Sequence, residues 1–126
     1  MSSLNVGRLL NADVGHGVTQ AYHASSFALA GAVPAGMMTS KGSYFNVPID
    51  LALTVALPVH SHIACNFVIS DYVPHAARGV ARAGVLGVSA VMFLGLAKLT
   101  VTSGVVNTVK LLWEKPPPKE APPATK

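Results

Sequence analysis

Residues 57–74 read LPVHSHIACNFVISDYVP. Two histidines, His60 and His62, and an acid–phenol pair, Asp71 and Tyr72, interrupt a run otherwise suited to the inside of a bilayer. No Asp, Glu, Lys or Arg occurs from residue 51 to residue 70. A hydrocarbon core is crossed by about 20 mostly apolar residues of α-helix. A soluble helix of that length needs a polar face, and this stretch scarcely has one. It therefore reads as a membrane span from about Pro48 to Val73, stopped by Pro74, because the residue before proline avoids helical geometry. Pro48 suits a helix start, and Asp50 falls where a helix dipole favours a carboxylate.

Working outward, the same absence of charge recurs at residues 14–40, 83–97 and 99–109. These gaps predict two more spans, about 22–39 and 77–99, with Lys98 reaching back to the interface on its aliphatic stem. Ala24, Ala28, Ala32 and Gly36 recur every four residues, and Ala83, Gly87 and Gly95 share that spacing. Such stripes let helix backbones approach closely in lipid. Pro34 is expected to kink the first span and Pro58 the second. An amphipathic stretch, about Val105 to Trp113, follows the third, with Lys110 and Trp113 as interface anchors. The expected fold is an all-α membrane protein of three transmembrane helices with a short C-terminal amphipathic stretch. Residues 1–20 form an N-terminal segment, 21–113 the membrane anchor, and 114–126 a flexible Pro-rich tail.

Composition agrees. Of 126 residues, 51% are hydrophobic and 11% charged, against about a quarter charged in soluble domains. A soluble enzyme is disfavoured. The net charge of +4 comes from basic residues scattered along the chain. A nucleic-acid binder gathers them on one face, so the excess reads as topology and contact with membrane lipid, with no nucleic acid as partner. Arg78 and Arg82 place the second loop, and with it the N-terminus, on the matrix or cytoplasmic side. The lysines at the tail run against that rule. The single Cys65 makes no internal disulfide and reads as a small buried residue.

Polar groups inside a membrane helix are costly and usually functional. His60 and Asp71 are 11 residues apart, about 16.5 Å along a helix and only about 20° off three full turns. They share a face. His62 points about 200° away from His60. A neutral imidazole is a strong axial ligand for haem iron. On spacing alone an interhelical hydrogen bond explains His60 slightly better, and for His62 a packing or hydrogen-bonding role is the expectation, with ligation as the alternative. His23 reads as an interface residue, so a second axial ligand has to come from another chain. The Tyr72 phenol can donate a hydrogen bond to a quinone carbonyl, and Asp71 can orient it or relay protons.

LPVHSH followed by DYVP, with IDLALTVAL before, AARGVARAGVLGVSAVMFLGL after and NTVKLLWEK near the end, resembles the small cytochrome-b anchor subunit of mitochondrial succinate dehydrogenase, respiratory complex II. The likeness covers about residues 21 to 115. It implies a multi-pass protein of the mitochondrial inner membrane with three transmembrane helices, working in electron transport. It implies a larger cytochrome-b anchor subunit sharing one b-type haem, with His60 as this chain's axial ligand. It implies that Tyr72 hydrogen-bonds ubiquinone near the matrix face, supported by Asp71. An iron–sulfur subunit completes the quinone site, and succinate is oxidised at a covalent flavin in a flavoprotein subunit, so the chain alone is not catalytic. Vertebrate members carry an acidic–basic pair where this chain has Phe27 and Ala28, which leaves Arg78 or a neighbouring subunit to meet a haem propionate. A relative of this family serves as a structural subunit of an inner-membrane protein translocase. Such a role does not require His60 and Tyr72, and both are present.

Overall fold

The computed structural model describes residues 5–116. Among them there is no strand, and five helices follow in order: α1 (Val6–Leu10), α2 (His16–Met38), α3 (Asn46–Tyr72), α4 (His75–Thr102) and α5 (Val105–Leu111). Proline and glycine set the boundaries. α3 ends at Val73, extended at φ −91° and ψ 129°, as a residue before proline prefers. Pro74 then opens α4. Gly15 and Gly104 stand at the N-termini of α2 and α5 with φ of +111° and +81°, values that glycine adopts without steric cost. α2 and α3 each continue through their internal proline.

α3 lies between α2 and α4, which do not pack on each other. α5 closes the bundle at the start of α3, touching α2, α3 and α4, and α1 packs on α4. The apolar centre is Ala32, Leu53, Val105 and Val106, flanked by Leu29, Ile49 and Leu99. Gly36 makes this approach possible, because a Cβ there would stand 3.0 Å from a methyl of Val106 and 3.4 Å from one of Ile49.

α3 and α4 are long and apolar enough to cross a membrane. α2 has 23 residues, about 35 Å of helix, but its Ala, Gly, Ser, Thr, Gln and His content keeps it less apolar. It begins at His16, before the expected Tyr22, because Gly15 supplies the turn and residues 16–20, His-Gly-Val-Thr-Gln, follow the helix with Val18 as their one apolar side chain. α4 extends beyond 77–99 at both ends, and α1 is an element that the sequence reading left unassigned.

Three local expectations are corrected. α3 starts at Asn46, so Asp50 lies past its first turn. Its buried carboxylate instead accepts the Val106 amide at 2.8 Å and caps α5. Of the first small-residue stripe, Ala32 and Gly36 are buried while Ala24 and Ala28 are exposed; Ala83, Gly87 and Gly95 are also exposed, because α4 turns Ser89, Leu96 and Leu99 inward instead. Cys65 is exposed, not buried. Apart from Glu114 to Pro116, the expected Pro-rich tail lies outside the described residues.

Candidate functional site

The two histidines of α3 leave it in opposite directions, as the helical period requires. His60 meets α2. Its Nδ1 lies 3.4 Å from Ser25 Oγ and 3.3 Å from Ser26 Oγ. Tyr22 stacks on the imidazole, with ring centroids 4.7 Å apart and planes 19° from parallel. Phe67, two turns along α3, meets the Tyr22 ring edge-on at 6.1 Å. The ring is half-buried, and among the described residues only Nδ1 has hydrogen-bond partners. Its Nε2 makes no hydrogen bond among the described residues.

His62 meets α4 and α1, and both its nitrogens are engaged. Nε2 lies 2.7 Å from the Leu9 carbonyl oxygen and Nδ1 lies 3.1 Å from Ser89 Oγ. The residue is buried. Asn66, fully buried one turn on, donates to the His62 carbonyl at 2.8 Å. This side of α3 is a polar seam that fastens the N-terminal segment to the bundle.

Asp71 and Tyr72 sit at the end of α3, both exposed, Tyr72 at 82%. Neither side chain has a hydrogen-bond partner among the described residues, so both are free to face another molecule. Beside them Arg82 donates from Nη2 to Asp13 Oδ2 and to Ser70 Oγ, each at 2.8 Å. The Arg82 and Asp13 side chains are 13% and 8% exposed. Arg78 donates to the carbonyls of Ser70 and Val73 at 2.9 Å, occupying two of its donors with the exposed end of α3. The pair Asp13–Arg82 therefore brings the N-terminal segment to Ser70 near the α3–α4 turn. Phe27, at 78% exposure, and Ala28 face outward on α2, and His23 is exposed as an interface residue would be.

The site thus gathers His60 in mid-helix and Asp71 and Tyr72 at its end, as the spacing along one helix dictates. Sequence reasoning missed Tyr22, Ser25 and Ser26. Their separation by three and four residues was a legible signal that they share a face, but not that this face meets His60.

The model of the family described as CybS, succinate dehydrogenase cytochrome B small subunit, matches residues 13–114. This chain belongs to the CybS family. Its curated relatives include mitochondrial succinate dehydrogenase [ubiquinone] cytochrome b small subunits. The protein of Rattus norvegicus is 34% identical over 91 residues, that of Mus musculus 35% over 95, and that of Homo sapiens 32% over 91. Each match covers 71% of this chain and 54% of the relative, so the chain spans about half the length of the curated relatives it matches. No solved structure matches it. In this CybS chain the matched region contains α2 to α5 in full, with both histidines, Asp71 and Tyr72.

Proposed function

We propose that this chain is a membrane-anchor subunit of succinate:ubiquinone oxidoreductase in the mitochondrial inner membrane. In this reading α2, α3 and α4 all span the bilayer, and a larger cytochrome-b subunit, an iron–sulfur subunit and a flavoprotein subunit complete the complex. His60 supplies one axial ligand to a b-type haem shared with the larger anchor. Tyr72 and Asp71 contribute to the ubiquinone site.

The contrast between the two histidines carries the reading. His62 has both nitrogens bonded inside the chain, whereas His60 Nε2 has no hydrogen-bond partner among the described residues. No group of three or more His, Cys, Asp or Glu among the described residues could hold a bare metal ion. A haem iron would ask less of the protein than a bare ion, and a single half-buried imidazole fits that demand. Bound haem supplies a one-electron carrier. The chain's own part is to hold His60 between α2 and α3 and to exclude water with Tyr22 and Phe67. At the helix end the Tyr72 hydroxyl donates to a quinone carbonyl oxygen, and Asp71 relays or orients the proton. Arg78 and the Asp13–Arg82 pair keep the end of α3 in place.

The test is an optical spectrum of the purified complex carrying His60→Ala. Altered or absent haem is expected, and an unchanged bis-histidine spectrum would overturn the ligand assignment. Tyr72→Phe is expected to lower quinone reduction while sparing succinate oxidation by a water-soluble dye. Equal loss of both activities would count against a quinone role. An intact assembly with neither haem nor flavin would favour the structural, translocase-type role.

A further inference from the structure

Ser25 and Ser26 stand at the one nitrogen of His60 that the chain engages, and the direction of their hydrogen bonds assigns its proton. Both hydroxyls donate to the Tyr22 carbonyl oxygen, Ser25 at 2.9 Å and Ser26 at 2.8 Å. Back-bonding of this kind, to a carbonyl three or four residues earlier, is the ordinary outlet for a helical serine. With their protons committed there, the two oxygens turn lone pairs toward His60 Nδ1, 3.4 and 3.3 Å away. A proton on Nδ1 then has two acceptors. A proton on Nε2 has none among the described residues, which is unfavourable in an environment that also offers no bulk water.

We infer that Ser25 and Ser26 are positioning residues that hold His60 as the Nδ1–H tautomer and aim its Nε2 lone pair at the haem iron. This rests on the assignment of His60 as a ligand. The partner of the second ring nitrogen fixes the tautomer and raises the donor strength of a ligating imidazole. Tyr22 has a double part, since its carbonyl anchors both hydroxyls and its ring stacks on the imidazole to fix the rotation. A stronger imidazole donor favours ferric iron, so the serines hold the haem potential below the value it would have without them.

The experiment uses the whole purified complex with Ser25→Ala, Ser26→Ala, the double variant, and Ser26→Thr, which keeps a hydroxyl. The readouts are the haem midpoint potential by mediated titration and the electron paramagnetic resonance g-values of the ferric haem. The double variant is expected to shift the potential positive and move the g-values, each single variant less, and Ser26→Thr to stay with the unmodified complex. If the double variant assembles without haem, a positive shift in the single variants sustains the inference. Wild-type potential and g-values in every haem-bearing alanine variant overturn it. His60→Ala is measured alongside. If it perturbs the haem while the serine variants change nothing, only the positioning role fails; if it leaves the spectrum unchanged, the ligand assignment fails first.

Discussion

His62 is tied on both sides, to the Leu9 carbonyl and to Ser89. It holds α1 and α4 to α3 rather than presenting a free nitrogen. His62→Phe preserves bulk but leaves these partners unmet, at a cost of about 1–3 kcal/mol. We expect lower thermal stability of the complex, faster amide hydrogen exchange over residues 6–12 and an unaltered haem spectrum. A haem change as large as that of His60→Ala would contradict the division of labour between the two histidines. The pair Asp13–Arg82 is buried enough for a missing partner to be expensive. Arg82→Gln is expected to destabilise by on the order of 3 kcal/mol. Adding Asp13→Asn to it should cost less than the sum of the single changes, read from thermal melting of the single and double variants.

Among the elements, α5 depends most on one glycine. Gly104 has φ +81°, and a Cβ there would stand 2.7 Å from the Asp50 carboxylate that caps α5. Gly104→Ala adds backbone strain and displaces the cap, on the order of 2–3 kcal/mol together. Gly15 has φ +111° with open space around its added Cβ, so Gly15→Ala carries strain alone and should shift the melting midpoint less. Equal shifts would mean that the Asp50 contact contributes little. α2 shows why small residues matter by position. Ala32 and Gly36 are buried, whereas Ala24 and Ala28 of the same stripe are exposed and available to lipid or another subunit.

For the whole molecule, the row α2–α3–α4 puts the N-terminal segment and the α3–α4 turn at one end and the loop at residues 40–45 at the other. If all three helices span, those ends lie on opposite sides of the membrane. In a Cys65→Ser background, Asn5→Cys and His75→Cys should be labelled by an impermeant thiol reagent from one side, and Ser43→Cys from the other. Labelling of Ser43→Cys from the same side as Asn5→Cys would mean that α2 does not cross. No residue of α4 is buried within the chain, and its outer face is free for lipid or for a partner subunit. Association in lipid is driven by packing and polar pairing rather than apolar burial.

The sequence alone determined the helical class, the courses of α3 and α4, and the placement of His60 and Asp71 along one face, with Tyr72 next to Asp71 at the helix end. Charge gaps and prolines mark the ends of a helix locally, and a period of about 3.6 residues fixes the faces within it. The resemblance in the His60-to-Tyr72 region pointed to the family that the comparisons show. Only the tertiary structure decided that Asp50 caps α5, that Asp13 pairs with Arg82, and that Ser25 and Ser26 meet His60 while Ser89 meets His62. Each of these joins two elements, so it depends on the relative rotation and register of helices, which the pattern within any one helix does not specify.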